Sequence, residues 1–195
     1  MKKKIIVMAM ALCMVAGSTE AGFAATETAG YQHWLQQIMQ RIETHISEYI
    51  NGSTDKLPEQ EKEENPQVQG NMAKEVVSLT NAQRKSAGLN ALKSSGQLDT
   101  LAQLKAEDMA ANGYFSHNSP TYGSAFDMLK SAGISYKSAG ENIAKGQKSA
   151  QSVINGWMGS SGHRANILNS SYTEIGVGYA QDSRGNTYWV QIFKG

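Results

Sequence analysis

Tyr136-Lys137-Ser138-Ala139-Gly140-Glu141-Asn142-Ile143-Ala144-Lys145 opens a stretch, residues 136–168, around which the chain is arranged. The stretch closes on Ser160-Ser161-Gly162-His163-Arg164-Ala165-Asn166-Ile167-Leu168. Between the two, Ser149 stands where a helix cap is wanted, and Ala150, Val153, Ile154 and Trp157 recur on one helical face. Ser160 or Ser161 can cap one further turn, from Gly162 to Leu168. Upstream lies Tyr114-Phe115-Ser116-His117. One carboxylate, Glu141, and two imidazoles, His117 and His163, therefore stand in three separate segments beside helix ends or glycines.

Towards the C-terminus the pattern changes to strand periodicity. Ile175, Val177 and Tyr179 alternate, Asp182 to Asn186 supplies turn residues, and Tyr188 to Phe193 returns. Trp189, Gln191 and Phe193 point one way and Tyr188, Val190 and Ile192 the other. Both faces are apolar, so layers are expected on each side of a small sheet. Towards the N-terminus, Ala73 to Ala87 reads as a helix stopped by Gly88. Gly96 to Asn112 reads as a second, with Leu98, Leu101, Ala102, Lys105 and Met109 as its buried stripe and Gly113 as its stop. The stem of Lys105 is expected to cover apolar surface while its ammonium reaches water. Ser124-Ala125-Phe126-Asp127 forms a capping-box pattern for a short helix to Ala132, and Ile134 to Ser138 reads as a short strand.

The first 71 residues have a different character. Lys2-Lys3-Lys4 precedes an apolar run, Ile5 to Ala16, that is too short to span a bilayer, and Gly22-Phe23-Ala24 offers a cleavage site after Ala24 or Ala25. Residues 1–25 therefore read as a signal peptide. The full chain carries +1, and cleavage after Ala25 removes three lysines and Glu20 to leave −1. That balance excludes phosphate-driven nucleic-acid binding. The single cysteine, Cys13, goes with the leader, so no disulfide is expected. No transmembrane span is expected after cleavage. Residues 26–50 hold an amphipathic helix with Trp34, Ile38, Ile42 and Ile46 on one stripe, and His33 and His45 read as ordinary side chains of it. Residues 51–71, with Pro58, Pro66 and an acidic run from Asp55 to Glu64, read as a disordered linker.

Two imidazoles and a carboxylate suit a divalent ion such as zinc, leaving a coordination position open for water or ligand. The same residues suit a hydrogen-bonded cluster in which Glu141 binds backbone amides and the histidines bind carbonyls. On spacing alone the hydrogen-bonded cluster is the favoured reading, since most polar clusters are structural. Nucleophilic catalysis has less support: Ser116, Ser119, Ser160 and Ser161 have turn and cap roles, and no Gly-x-Ser-x-Gly elbow occurs. His163-Arg164-Ala165-Asn166 is not a zincin His-Glu-x-x-His helix.

Taken together, Phe115-Ser116-His117, Gly140-Glu141-Asn142-Ile143-Ala144, Trp157-Met158 with Gly162-His163-Arg164, Asn166-Ile167-Leu168 and Ile175-Gly176-Val177-Gly178 resemble the CAP superfamily. This superfamily comprises the cysteine-rich secretory, antigen 5 and pathogenesis-related 1 proteins, and the resemblance is to its bacterial SCP-like branch. Leu79-Thr80-Asn81-x-x-Arg84 fits as well, and the likeness spans residues 72–195. It implies an α+β fold, an α-β-α sandwich, with a cleft lined by two histidines and two acids that holds a divalent ion in some members. His117, Glu141 and His163 match three of these four, and Asn142 accompanies them. Ser160 stands where eukaryotic members carry the second acid. The reading that follows is a secreted, non-enzymatic binding module presenting a His/Glu-lined cleft to a small-molecule, peptide or envelope ligand, at the cell envelope or outside the cell. The alternatives are a metal-dependent hydrolase of peptides or cell-wall material, with His117, Glu141 and His163 as ligands, and a lipid- or sterol-binding protein.

Overall fold

The computed structural model describes residues 66–195, together with Gln32, Leu35, Gln36, Met39 and Gln40, which are helical. The signal-peptide and cleavage-site readings, and His33, Trp34 and His45, lie outside the described residues. Leu35 is half-buried against the domain that follows.

Nine elements make up residues 66–195. They are α1 (Pro66–Ser86), β1 (Lys93–Ser94), α2 (Gly96–Asn112), α3 (Ala125–Ser131), β2 (Ala139–Lys145), α4 (Ala150–Gly159), α5 (Ser161–Ile167), β3 (Glu174–Gln181) and β4 (Thr187–Lys194). The sheet order is β1-β3-β4-β2, parallel between β1 and β3 and antiparallel elsewhere.

The period-2 pattern of β4 builds two cores. Tyr188, Val190 and Ile192 join Leu98, Leu101 and Met109 of α2 and Met128 and Leu129 of α3 on one face. Trp189 and Phe193 join Val76 of α1, Val153, Ile154 and Trp157 of α4, and Ile167 of α5 on the other. The result is the expected α-β-α layering. Helix α2 presses directly on β3, because a β-carbon on Gly176 or Gly178 would overlap the backbone of Leu98 or Ala102. Beyond the two-residue β1, α2 also serves the edge of β3. Asp99 accepts from the Val177 N–H at 2.9 Å, and Gln103 accepts from the Tyr179 N–H at 3.0 Å and donates to its carbonyl at 2.9 Å.

Three expectations need correction. Helix α1 starts at Pro66 rather than Ala73, so residues 66–71 of the expected linker are helical. Proline at a helix start sacrifices only an N–H that has no intrahelical partner, and its fixed φ suits the first turn. The strand after α3 is not Ile134 to Ser138 but Ala139–Lys145. Its small residues are poor strand formers, and it is held by seven register pairs with β4. Lys105 does not reach water, since its side chain is fully buried.

Candidate functional site

Strand β2 is the spine of the site. It lies at the open end of the sheet order, paired on one side only, with Glu141 opposite Ile192 and Asn142 opposite Gln191. Successive side chains on a strand leave opposite faces. Glu141 therefore turns towards the α2 layer and Asn142 towards the α4–α5 layer.

On the Glu141 side, α2 ends at Gly113 in the left-handed conformation, φ 67°, and the chain turns directly into Tyr114 to His117. His117 Nδ1 lies 2.6 Å from Glu141 Oε1. The imidazole side chain is 61% exposed and the carboxylate side chain 5% exposed. The backbone of His117 is fixed from below, where Lys105 Nζ donates to its carbonyl at 2.8 Å. The Lys105 ammonium also lies 5.6 Å from the centre of the Tyr114 ring. Asp108, one turn further along α2, accepts from Ser119 Oγ and Thr121 Oγ1, each at 2.6 Å, and from the Tyr114 hydroxyl. These bonds tie the His117 loop to the rigid end of α2.

On the Asn142 side the groups form an amide relay. Asn142 Nδ2 donates to the His163 carbonyl and to Gln191 Oε1, both at 3.1 Å. Asn166 Nδ2 donates to Asn142 Oδ1 at 2.9 Å and to the Glu141 carbonyl at 3.1 Å. Gln191 Nε2 reaches Thr80 Oγ1 of α1 at 2.8 Å. This relay fixes α5, and with it the His163 backbone, against the Asn142 face of β2. Ser160 is the residue between α4 and α5. It occupies the N-cap position of α5 but makes no side-chain cap bond.

The electrostatics follow from burial. Desolvation pushes the Glu141 carboxyl above its ordinary value, opposed by the His117 hydrogen bond and then by the Lys105 charge. Desolvation lowers Lys105, opposed by Glu141 and Asp108. His163 is lowered by desolvation and then by the nearby positive charge of His117.

Of the residues singled out in the sequence, His117 and Glu141 are in direct contact. The His163 backbone is tied to the other face of β2 through the bond its carbonyl accepts from Asn142, and its imidazole lies close enough to His117 for the two to interact electrostatically. Glu141 Oε2 is buried without a hydrogen-bond partner, a feature that an ion could exploit. Yet Nδ1 of His117 is directed at Oε1, and among the described residues no three His, Cys, Asp or Glu side chains are grouped to hold a metal. The residues present do not fit a preformed metal site. Sequence reasoning missed Asp108, Tyr114, Asn166, Gln191 and Thr80. Asp108 offered a signal, as a charge next to Met109 on the buried stripe. Thr80 and Asn166 stand within the motifs that carry the resemblance, but nothing in the sequence ties them or Gln191 to the site, because the relay converges only through the fold.

Comparison with known proteins agrees with this architecture. Residues 77–193 match the model of the cysteine-rich secretory protein family. An uncharacterized protein of Bacillus subtilis, YkwD, is 54% identical over 122 residues, covering 63% of this chain and 46% of its own length. An uncharacterized membrane protein of the same species, YlbC, is 40% identical over 111 residues, covering 57% of this chain and 32% of its own. The chain thus spans less than half the length of these relatives. A crystal structure of an extracellular SCP-domain protein from Bacillus anthracis superposes with a TM-score of 0.61 at 32% identity, covering 73% of this chain and 45% of that one. With the motifs, the layering and the family match in agreement, the chain belongs to the cysteine-rich secretory protein family.

Proposed function

We propose that this chain is an extracellular binding module that recognises its ligand through the edge-strand cleft, without turnover. The observation that carries the reading is the anchoring of His117. Its Nδ1 is directed at Glu141, its carbonyl is bonded by Lys105, and its imidazole is 61% exposed on the side chain. A ring fixed in this way offers Nε2 to a ligand at little entropic cost, as preorganised recognition requires.

A histidine held by a carboxylate is also half of a nucleophilic triad. The serines close to it are engaged otherwise. Ser116 Oγ accepts from the Asn118 N–H at 3.1 Å, and Ser119 Oγ donates to Asp108. Ser160 stands where a second acid is expected from the resemblance, and a hydroxyl does not accept a proton near neutral pH. An extracellular setting is supported by the leader pattern of residues 1–25. It is also supported by the description of the Bacillus anthracis relative as extracellular, and among the described residues no helix is long and apolar enough to cross a membrane.

The test is incubation of the mature protein with peptide mixtures and peptidoglycan, with and without added zinc, followed by product analysis. The reading expects no new termini in either condition. Turnover that disappears in both Glu141→Gln and His163→Ala overturns it in favour of a hydrolase.

A further inference from the structure

Away from the His117–Glu141 site, the domain exposes aromatic surface. Phe126 is 47% exposed and Tyr136 40% exposed, and their ring centroids lie 6.5 Å apart at an interplanar angle of 42°. They flank an open pocket of about 490 Å³ lined also by Asp127, Lys130, Gly133, Ile134 and Ser135. That volume falls in the ordinary range for small-ligand sites. We propose that this pocket is a second binding site, which takes a short saccharide bearing carbonyl acceptors, such as an N-acetylated amino sugar.

The argument starts with the frame. Exposed rings cost free energy when they order on binding, and less of it when the backbone that carries them is already held. Here it is. The Ser124–Asp127 capping box locks the first turn of α3, which carries Phe126. On the other wall, the Ile134 N–H donates to the Leu129 carbonyl, and the Lys137 and Ser138 N–H groups both donate to the Gly195 carbonyl. Tyr136 is therefore held between anchored residues. Two tilted rings on a fixed frame form a platform, and the C–H face of a sugar ring stacks on such a surface.

The surrounding chemistry narrows the class. Lys130 lies one turn beyond Phe126 and is exposed, and Ser135 and Tyr136 add hydroxyls. The ammonium only donates, whereas the two hydroxyls both donate and accept, so the walls suit a ligand that carries hydroxyls together with a strong acceptor such as a carbonyl. Asp127 lines the pocket as well: its Oδ2 accepts from Ser124 N at 2.9 Å and from Ser124 Oγ at 2.7 Å, and its Oδ1 remains an acceptor suited to sugar hydroxyls. A lipid chain would want an enclosed apolar channel, whereas this pocket is open with charged groups on its walls. A nucleic acid would want several cations, and Lys130 is the one basic residue lining the pocket.

The experiment is a titration of the isotopically labelled full mature chain with chitotetraose, followed by backbone amide and aromatic NMR signals. The proposal expects saturable shifts centred on residues 126–136 and little change at His117 and Glu141. Phe126→Ala and Tyr136→Ala, both at exposed positions, should each weaken binding by about tenfold, the scale of one aromatic contact. His117→Ala should leave it unchanged, which separates this site from the cleft. The proposal is overturned by the absence of a saturable shift or by shifts centred on the cleft. It is equally overturned by undiminished binding in both aromatic variants, or by a peptide titration that moves residues 126–136 when chitotetraose does not.

Discussion

His117, Glu141 and His163 are gathered about a single strand, and burial there shifts the carboxyl and one imidazole. Burial raises the Glu141 carboxyl, so the folded chain holds that proton more tightly than the unfolded chain. Its contribution to stability therefore falls as pH rises from the ordinary 4.5 through the raised folded value. His163 runs the other way. Its folded imidazole releases its proton more readily, so stability present above the ordinary 6.5 is lost as pH falls from there through the depressed folded value. NMR titration of the mature chain should place the Glu141 midpoint above 4.5 and the His163 midpoint below 6.5. His117→Ala should move His163 back towards its ordinary value, because part of the depression is repulsion from His117. A His163 midpoint that is unmoved in that variant would place the two rings too far apart to share a cleft. The three residues could be picked out in the sequence from their motifs and from the helix ends and glycines beside them. Their arrangement could not. Glu141 and Asn142 are adjacent in sequence, and only the pleat of a strand that the sequence did not reveal sends one to each layer.

Elements were legible where local chemistry and tertiary packing agree. Helix α2 lies between Ser95 and Gly113 as read, because glycine at a left-handed φ ends it whatever it packs against. The capping boxes of α3 and α4 are both present. The hairpin was legible because its alternation separates the two cores. Strand β2 was not, since its residues have little strand preference and its pairing partner lies far along the chain. Two substitutions test the packing of these elements. Trp157 is 1% exposed and its Nε1 donates to the Ile143 carbonyl at 3.2 Å, tying α4 to β2. Trp157→Ala should cost about 3–5 kcal/mol in denaturant melts, and a loss under about 1 kcal/mol, the range of surface changes, would contradict its burial. Gly178→Ala would force α2 off β3, because the Ala102 backbone occupies the space of the new methyl group. Overpacking typically costs about 1–3 kcal/mol. Here the obstacle is backbone, so chemical unfolding should show a loss at or above the top of that range.

At the scale of the whole molecule, Arg84 joins distant parts of the domain. Its buried guanidinium donates to the carbonyls of Asn90, Ile167 and Asn169 at 2.8, 2.9 and 2.8 Å, connecting α1 to the end of α5 and the loop before β3. Helix α1 is thus tied into the fold through Arg84. A chain of residues 66–195 should unfold in one cooperative transition. Cutting instead at residue 71 removes the first turn of α1 and Gln69, which lies 3.3 Å from Gln103, and should lower the melting temperature relative to that chain. Absence of cooperative unfolding in residues 66–195 would show that the helix carrying Leu35 belongs to the core it touches. The central claim is that the site is built as a His117–Glu141 pair supported by Lys105, with the His163 backbone tied to the other face of the strand, rather than as three ligands around an ion. Calorimetric titration of zinc into the mature protein and into His163→Ala tests it most directly. The account predicts weak binding that His163→Ala leaves unchanged. Tight one-to-one binding that is abolished in His163→Ala, and strengthened when Ser160→Glu restores an acid, would contradict it.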